Sequence, residues 1–167
     1  IHPNGRDDLC VTVQNGYAAI GTAVQISYCF ADPSSTSQNF QLFDLPAVGS
    51  SGNVQLHGTN YCLDAGDNPA NGSGIKIWTC GDGWLQQTWD FESDKRLSLS
   101  NGEWIFNTLN THTNYLWCIG QCLDVVAGSG PTQTKPYGSE ENLQTWECST
   151  NGDKQQVRRH HIHHCHP

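Results

Sequence analysis

One stretch of the chain carries the residue types that can hold a sugar. Asp64, Trp78, Gln86 and Gln87 supply a carboxylate, an indole ring and two amides. A pyranose offers neighbouring hydroxyl groups at its rim and a patch of C–H groups on one face. Carboxylates and amides bind paired hydroxyls, and an aromatic ring covers the apolar face. Residues of these types have the chemistry that a carbohydrate site needs; the alternative is a surface aspartate that caps a turn beside a half-buried tryptophan.

A second group of reactive side chains lies near the C-terminal end of the sequence. It contains Cys165 and five histidines: His160, His161, His163, His164 and His166. Imidazole nitrogens, with or without a thiolate, bind zinc, nickel or copper, and they titrate at mildly acidic pH. An uninvolved tail is the alternative. We expect the tail to be held by a Cys165 disulfide or by packing, and we expect no cofactor elsewhere.

The elements that would position these residues are three similar stretches of sequence. Each opens on a cysteine, at Cys10, Cys62 and Cys122, continues through a Gly-rich middle and closes on Gln-x-aromatic. The predicted closing segments are Gln38-Asn39-Phe40, Gln87-Thr88-Trp89 and Gln144-Thr145-Trp146. Three copies with a period of 50 to 60 residues predict a closed, threefold assembly of one supersecondary unit.

The composition favours an all-β protein. The 167 residues include 17 glycines and no methionine, and only 14% are charged. Runs such as Val24-Gln25-Ile26 and Leu97-Ser98-Leu99 alternate apolar and polar residues between turn signals. No window shows sustained helical periodicity. The length predicts a single domain with a sizeable core.

The repeated pattern resembles the ricin B-type lectins, from Leu9 to Cys148, with the character of a secreted fungal member. The resemblance implies a β-trefoil of three four-stranded repeats, at about 9–48, 54–100 and 114–150. It also implies one domain over 1–150, followed by a basic, His-rich tail over 151–167. In that family the closing aromatic packs in the core and the glutamine ties a loop to the backbone. We therefore expect Trp89 and Trp146 to be core residues.

The resemblance also implies which residues would bind sugar. The family uses the aspartate after Cys-Leu, the tryptophan before x-Cys, and an Asn-Gln pair that opens Gln-x-Trp. The second repeat keeps Asp64, Trp78 and Gln87, with Gln86 where asparagine is usual, and is nearly complete. The expected ligand is a galactose-type sugar.

The same resemblance predicts that the first and third sites are damaged. In the first repeat, Thr12 replaces the aspartate and Ser27 replaces the aromatic residue. The third repeat keeps Asp124 and Gln144, but Lys135 stands for the aromatic residue and Leu143 for the asparagine, with Tyr137 as a substitute ring.

The eight cysteines include no CxxC pair, which predicts disulfides and an oxidising compartment. Matching places in the repeats predict the bridges Cys10–Cys29 and Cys62–Cys80. In the third repeat Tyr137 stands where the second cysteine would be. The remaining cysteines allow three pairings, of which we expect Cys118–Cys148 and Cys122–Cys165; a bridge to another chain is an alternative.

Further signals indicate where the protein works. The cysteines, and an N-terminus at Ile1 without a charged-then-apolar leader, lead us to expect a mature, secreted protein. Asn71-Gly72-Ser73 is a glycosylation sequon. A net charge of −8 disfavours nucleic acid as a partner, and no apolar run predicts membrane insertion.

Two functions from different classes fit these signals, and catalysis does not. The first is a carbohydrate-binding module. The second, drawn from fungal relatives of the family, is a small accessory subunit of a secreted oxidase such as a laccase or tyrosinase, with Trp84, Trp104 and Trp117 as contacts to the larger protein. The sequence has no nucleophile elbow, HExxH or phosphate loop, and Glu140-Glu141 are merely adjacent acids. We expect no enzymatic activity.

Overall fold

A computed structural model describes residues 1–3, 6–30, 39–100, 103–105, 117–126, 138–148 and 157–158. Lys135, Tyr137, Cys165 and the five C-terminal histidines lie outside these ranges, as do the predictions of a substitute ring at Tyr137 and of a metal-binding tail.

The described residues form short strands, with two 3-10 turns at Gln14–Gly16 and Leu85–Gln87. The strands are β1 His2–Pro3, β2 Leu9–Val13, β3 Val24–Tyr28, β4 Phe43–Asp44, β5 Ser51–Gly52, β6 Gln55–Leu56, β7 Tyr61–Asp64, β8 Ser73–Gly74, β9 Lys76–Thr79, β10 Trp89–Phe91, β11 Leu97–Leu99, β12 Glu103–Ile105, β13 Trp117–Ile119, β14 Gln121–Val125, β15 Glu141–Glu147 and β16 Val157–Arg158. Within this part of the chain, no helix is long and apolar enough to cross a membrane.

In each repeat the strand with the opening cysteine forms an antiparallel hairpin, and these three hairpins share a register. They are β2–β3, β7–β9 and β14–β15. The opening cysteine of each lies opposite Ser27, Trp78 and Trp146, respectively. In each hairpin the next cross-strand pair points into the core. These pairs are Val11–Ile26, Leu63–Ile77 and Leu123–Thr145, and all six side chains are fully buried. Alternation along each strand therefore buries one face and leaves the other for polar groups.

The hairpins contact one another in a cycle. In the first repeat, Gly21 donates its N–H to Ile77 O of the second repeat at 2.9 Å, and Gly72 of the second donates to Thr145 O of the third at 2.9 Å. Strand β15 of the third repeat pairs with β3 of the first, with Glu141 opposite Ile26. This closed arrangement is the predicted β-trefoil, and the all-β prediction is confirmed.

The remaining pairings connect the repeats through two larger sheets. One has the strand order β2-β3-β15-β14-β11-β10-β5, with β8 added on β15, and the other has the order β4-β6-β7-β9. Strand β1 pairs with β16, so His2 lies opposite Arg158. Two residues of the predicted tail, Val157 and Arg158, are thus paired with the N-terminal strand.

A single apolar cluster lies between the hairpins and is drawn from all three repeats. Its buried members are Leu9, Val11, Val13, Val24, Ile26, Val54, Leu56, Leu63, Ala65, Ile75, Ile77, Trp89, Phe91, Leu97, Leu99, Leu123, Val125 and Leu143. Trp89 is its largest side chain, and its indole N–H donates to Leu63 O at 3.1 Å. The predicted core role of Trp89 is confirmed.

Trp146 is not a core residue, so the prediction for it was wrong. Its side chain is 45% exposed. The reason is its register: Trp146 lies in a hairpin strand opposite Cys122, on the outer face, while its neighbour Thr145 points inward. Gln144-Thr145-Trp146 is therefore the equivalent of the hairpin strand that contains Trp78, and it does not close the third repeat.

The closing glutamine of the first repeat is Gln41, which corrects the prediction of Gln38-Asn39-Phe40. Gln41 is buried; its Nε2 donates to Tyr28 O at 3.0 Å and its Oε1 accepts from Phe30 N at 2.9 Å. Two residues later Phe43 begins β4. The closing segment is therefore Gln41-Leu42-Phe43.

Gln87 makes the same two backbone contacts in the second repeat. Its Nε2 donates to Thr79 O at 3.0 Å, and its Oε1 accepts from Gly81 N at 2.9 Å. In both repeats the bonded residues are those directly before and directly after the second cysteine of the hairpin. A buried amide with both ends satisfied fixes the closing segment against the hairpin.

One disulfide joins the two sides of each of these three hairpins. The disulfides are Cys10–Cys29, Cys62–Cys80 and Cys122–Cys148, each with a Cα–Cα distance of 5.0 Å. The first two predictions are confirmed, whereas Cys118–Cys148 and Cys122–Cys165 were wrong. The correction follows from the register, since Cys148 lies two residues after Trp146, as Cys80 lies two residues after Trp78.

Replacing Trp89 tests the corrected assignment of the two tryptophans. Trp89→Ala removes a fully buried indole and should lower the free energy of unfolding by about 3–5 kcal/mol. Trp146→Ala, the matched control at an exposed position, should cost about 1 kcal/mol or less. Urea unfolding followed by circular dichroism measures both. Equal losses would contradict the assignment.

Candidate functional site

The outer face of the β7–β9 hairpin brings together three of the chemistry-bearing residues of the second repeat. Asp64 lies directly opposite Lys76, and Trp78 follows two residues along the same strand. Side chains that are paired across strands or two residues apart share a face. Leu63 and Ile77 take the opposite face and are buried. Alternating residue types thus direct a carboxylate, an ammonium and an indole to one surface.

Asp64 is held in place by hydrogen bonds to both carboxylate oxygens. Oδ1 accepts from Gly66 N at 2.8 Å, and Oδ2 accepts from Gln87 Nε2 at 2.9 Å. Only 3% of the residue is exposed. Gly66 has φ of +79°, a backbone conformation that favours glycine and that turns its N–H toward the carboxylate.

The two neighbouring glutamines have different positions. Gln87 is fully buried and acts on the site through Asp64. Gln86 has a partly buried side chain, and its backbone oxygen accepts from Ala65 N at 3.0 Å. Gln86 is therefore the one of the two that retains an accessible amide beside the hairpin.

Trp78 supplies an accessible aromatic surface. Its side chain is 37% exposed, and the Lys76 ammonium lies 5.4 Å from the ring centre. Gly21 of the first repeat flanks the ring, since a Cβ at that position would lie 3.7 Å from Cζ3. One wall of the second-repeat site is therefore formed by the loop of the preceding repeat.

The third repeat presents a related arrangement on the β14–β15 hairpin, with a glutamine at the position of Lys76. Asp124 lies opposite Gln144, and Trp146 takes the position of Trp78. Gln144 Nε2 donates to Asp124 Oδ2 at 2.8 Å, and Asp124 is buried. The expectation that Lys135 replaces the aromatic residue was wrong, because Trp146 occupies that place. The signal was present in the sequence, where Trp146-Glu147-Cys148 matches Trp78-Thr79-Cys80.

The first repeat lacks both key groups, as the sequence predicts. Thr12 and Ser27 occupy the positions of the carboxylate and the indole, and their hydroxyl oxygens lie 2.8 Å apart. Gln41 Nε2 donates to Thr12 Oγ1 at 2.9 Å. A cavity of about 530 Å³ lies beside them, with Phe30 and Phe40 among its lining residues.

Among the described residues, one cluster has the residue types that could hold a metal ion, but it does not form a metal site. His2 lies close to Cys10 and Cys29, but both sulfurs belong to a disulfide and offer no thiolate. His2 Nδ1 lies 2.8 Å from Leu9 O, so the ring bonds to the backbone.

A model of the ricin-type β-trefoil lectin domain matches residues 1–104 of the chain. The chain belongs to this family. It is thus a lectin domain, a kind of carbohydrate-binding module. No curated protein matches the sequence.

The solved structures that resemble this lectin domain include the following two. One is the designed threefold symmetric protein ThreeFoil, at 17% identity and a TM-score of 0.53, covering 90% of this chain and 94% of that one. The other is a mutant of the earthworm lectin C-terminal domain, solved in complex with 6'-sialyllactose, at 10% identity and a TM-score of 0.54, covering 88% and 86%. At these identities the likeness establishes the fold.

Removing the closing glutamine tests whether Gln41 fixes the first repeat of the lectin domain. Gln41→Leu leaves Phe30 N and Tyr28 O without their partner and should lower the free energy of unfolding by about 1–3 kcal/mol per unsatisfied group. Gln86→Leu changes a partly buried glutamine and should have less effect. Urea unfolding of both variants checks this, and an unchanged midpoint for Gln41→Leu would contradict it.

Proposed function

We propose that this lectin domain binds carbohydrate at two sites, on the outer faces of the second and third hairpins. The observation that carries the proposal is the repetition of one arrangement. In each of these two repeats a buried aspartate accepts a hydrogen bond from a glutamine, and an exposed tryptophan lies on the same face of the hairpin. The donor is Gln87 of the closing segment in the second repeat and the cross-strand Gln144 in the third. The residues proposed to act are Asp64, Trp78, Gln86 and Gln87 in the second repeat, and Asp124, Gln144 and Trp146 in the third.

Each side chain has a distinct role in the proposal. The indole ring of Trp78 or Trp146 packs against the C–H face of a pyranose. The aspartate of each site orients the polar groups around it, and these groups form hydrogen bonds with neighbouring hydroxyl groups of the sugar. Gln87 positions Asp64 from within the core. Tyr137 remains a proposed additional ring for the third site.

Two sites on one chain change the expected binding strength. A single site that buries roughly 100–150 Å² of apolar surface contributes only a few kcal/mol, which corresponds to about millimolar affinity. Two sites allow one molecule to engage two sugars on a surface, and the second event is then intramolecular. A secreted, disulfide-bonded lectin that recognises galactose-type glycans on surfaces is the function we propose.

A glycan array with tryptophan variants tests this function. On an array of neutral and acidic galactose-type glycans the wild-type protein should bind. Trp78→Ala and Trp146→Ala should each reduce binding to some of these glycans about tenfold or more on a multivalent surface, and the double variant should bind none. Trp84→Ala removes another exposed tryptophan and serves as the matched control. A silent array, or full binding by the double variant, would overturn the proposal.

The sequon at Asn71 is proposed as a glycosylation site next to the third hairpin. Asn71 is exposed, and its Oδ1 accepts from Glu147 N at 2.7 Å, one residue after Trp146. A glycan on Nδ2 would therefore stand beside the Trp146 ring.

The consequence of that glycan is measurable. Protein from secretory expression should lose mass on treatment with peptide N-glycosidase, and Asn71→Gln should not. The Asn71→Gln variant should also bind sugar at least as tightly as wild type, because nothing then crowds Trp146. Unmodified wild-type protein would contradict the assignment; Ser73→Ala, which removes the sequon but keeps Asn71, is the control.

A partner subunit is the second candidate function, and one observation favours it. Trp84 is 43% exposed and its ring packs on Gly81, where any Cβ would clash at 2.2 Å. Such a fixed, exposed indole is typical of an interface anchor. The proposed partner is a larger secreted protein. If the array is silent, stoichiometric co-elution with an oxidase that is lost in Trp84→Ala would support this function, and a free monomer in the native secretion would refute it.

A further inference from the structure

The second and third hairpins share an aspartate and a tryptophan on their outer faces but differ at the register position opposite the aspartate. Gln25 lies opposite Thr12, Lys76 lies opposite Asp64, and Gln144 lies opposite Asp124. Two repeats therefore have a neutral amide at this position, and the second repeat has a cation. The proposed sites of the second and third repeats are otherwise matched in their aspartate and tryptophan.

The ammonium of Lys76 occupies the centre of the second-repeat site. Nζ lies 3.5 Å from Asp64 Oδ1 and 5.4 Å from the centre of the Trp78 ring. The side chain is 35% exposed, whereas that of Asp64 is 5% exposed. A sugar that contacts both the ring and the carboxylate would have to pass through the space that this ammonium fills.

A neutral sugar gains little from Lys76 and must displace it. An ion pair with one partly exposed partner and a cation–π contact each change an equilibrium by roughly two- to fivefold. These losses oppose the weak binding of a single neutral sugar. At the corresponding register position of the third repeat, Gln144 offers an uncharged amide beside Asp124.

A sugar with an anionic group meets a different situation. The ammonium has three N–H donors and faces one carboxylate oxygen at 3.5 Å, so it can bind a second anion without leaving Asp64. Charge-assisted hydrogen bonds to such a group are about twice as strong as neutral ones. In a chain with net charge −8, this cation would be a specific local attraction for an acidic ligand.

We propose that Lys76 makes the second-repeat site selective for glycans that carry a carboxylate or a sulfate, while the third-repeat site accepts neutral ones. This inference rests on the proposed carbohydrate-binding function and adds the class of ligand for one of its sites. Lys76 is thus the specificity-determining residue of the second repeat.

Reciprocal variants separate the two sites. In Trp146→Ala, which retains only the second site, calorimetric titration compares lactose with sialyllactose and with sulfated lactose. The acidic sugars should bind about five- to twentyfold more tightly at low salt, and the preference should shrink at 1 M salt. Lys76→Gln in this background should remove the preference and improve lactose binding, and Lys76→Arg should keep the preference. Thermal unfolding checks that each variant is folded. We expect Lys76→Gln to fold, since glutamine already occupies this position in the third repeat.

The converse variant transfers the property. In Trp78→Ala, which retains only the third site, Gln144→Lys should create a preference for the acidic sugars. A ratio of affinities that Lys76→Gln leaves unchanged would overturn the inference. Failure of Trp146→Ala to bind any of the three sugars would also overturn the inference. If wild-type protein still bound lactose through Trp146 in that case, the carbohydrate-binding function would stand. Binding of no sugar by wild-type protein would overturn both.

Discussion

The fold depends on a buried amide that joins the closing segment to the hairpin in the first and second repeats. Gln41 and Gln87 bond to the backbone on both sides of the second hairpin cysteine, and Gln87 also holds the Asp64 carboxylate. A buried amide without partners is costly, so the closing segment and the hairpin are fixed together or not at all. The same bond that stabilises the core thereby orients the proposed ligand-binding carboxylate, and stability and recognition share one residue.

Much of the architecture follows from the sequence because its signals are periodic. The opening cysteines, the alternating strands and the Gly-rich turns predict an all-β trefoil, and the hairpin disulfides Cys10–Cys29 and Cys62–Cys80 follow from matching positions. The exposed Trp78 beside Asp64 was also predictable. These features reflect local residue patterns that the threefold assembly reinforces, so local preference and tertiary packing agree.

The wrong predictions for the third repeat arose because two kinds of segment have similar amino-acid sequences. Gln144-Thr145-Trp146 reads as a closing segment, but its tryptophan lies two residues before a cysteine, as Trp78 does. Strand pairing decides between the two interpretations, because a change of register exchanges the buried and exposed faces. The assignment of Gln41 depends on hydrogen bonds to backbone groups more than ten residues away, which a pattern of side chains does not reveal.

The cyclic contacts between hairpins have a consequence for how such a protein can be divided. Gly21 of the first repeat flanks Trp78 of the second, and Gly72 of the second bonds to the strand that contains Trp146. Each proposed sugar-binding surface is therefore shared between consecutive repeats. An excised repeat would keep its own aspartate and tryptophan but lose a wall, so the smallest unit of the proposed recognition is a pair of repeats. Duplication or loss of one repeat would alter its neighbour's binding surface as well as its own.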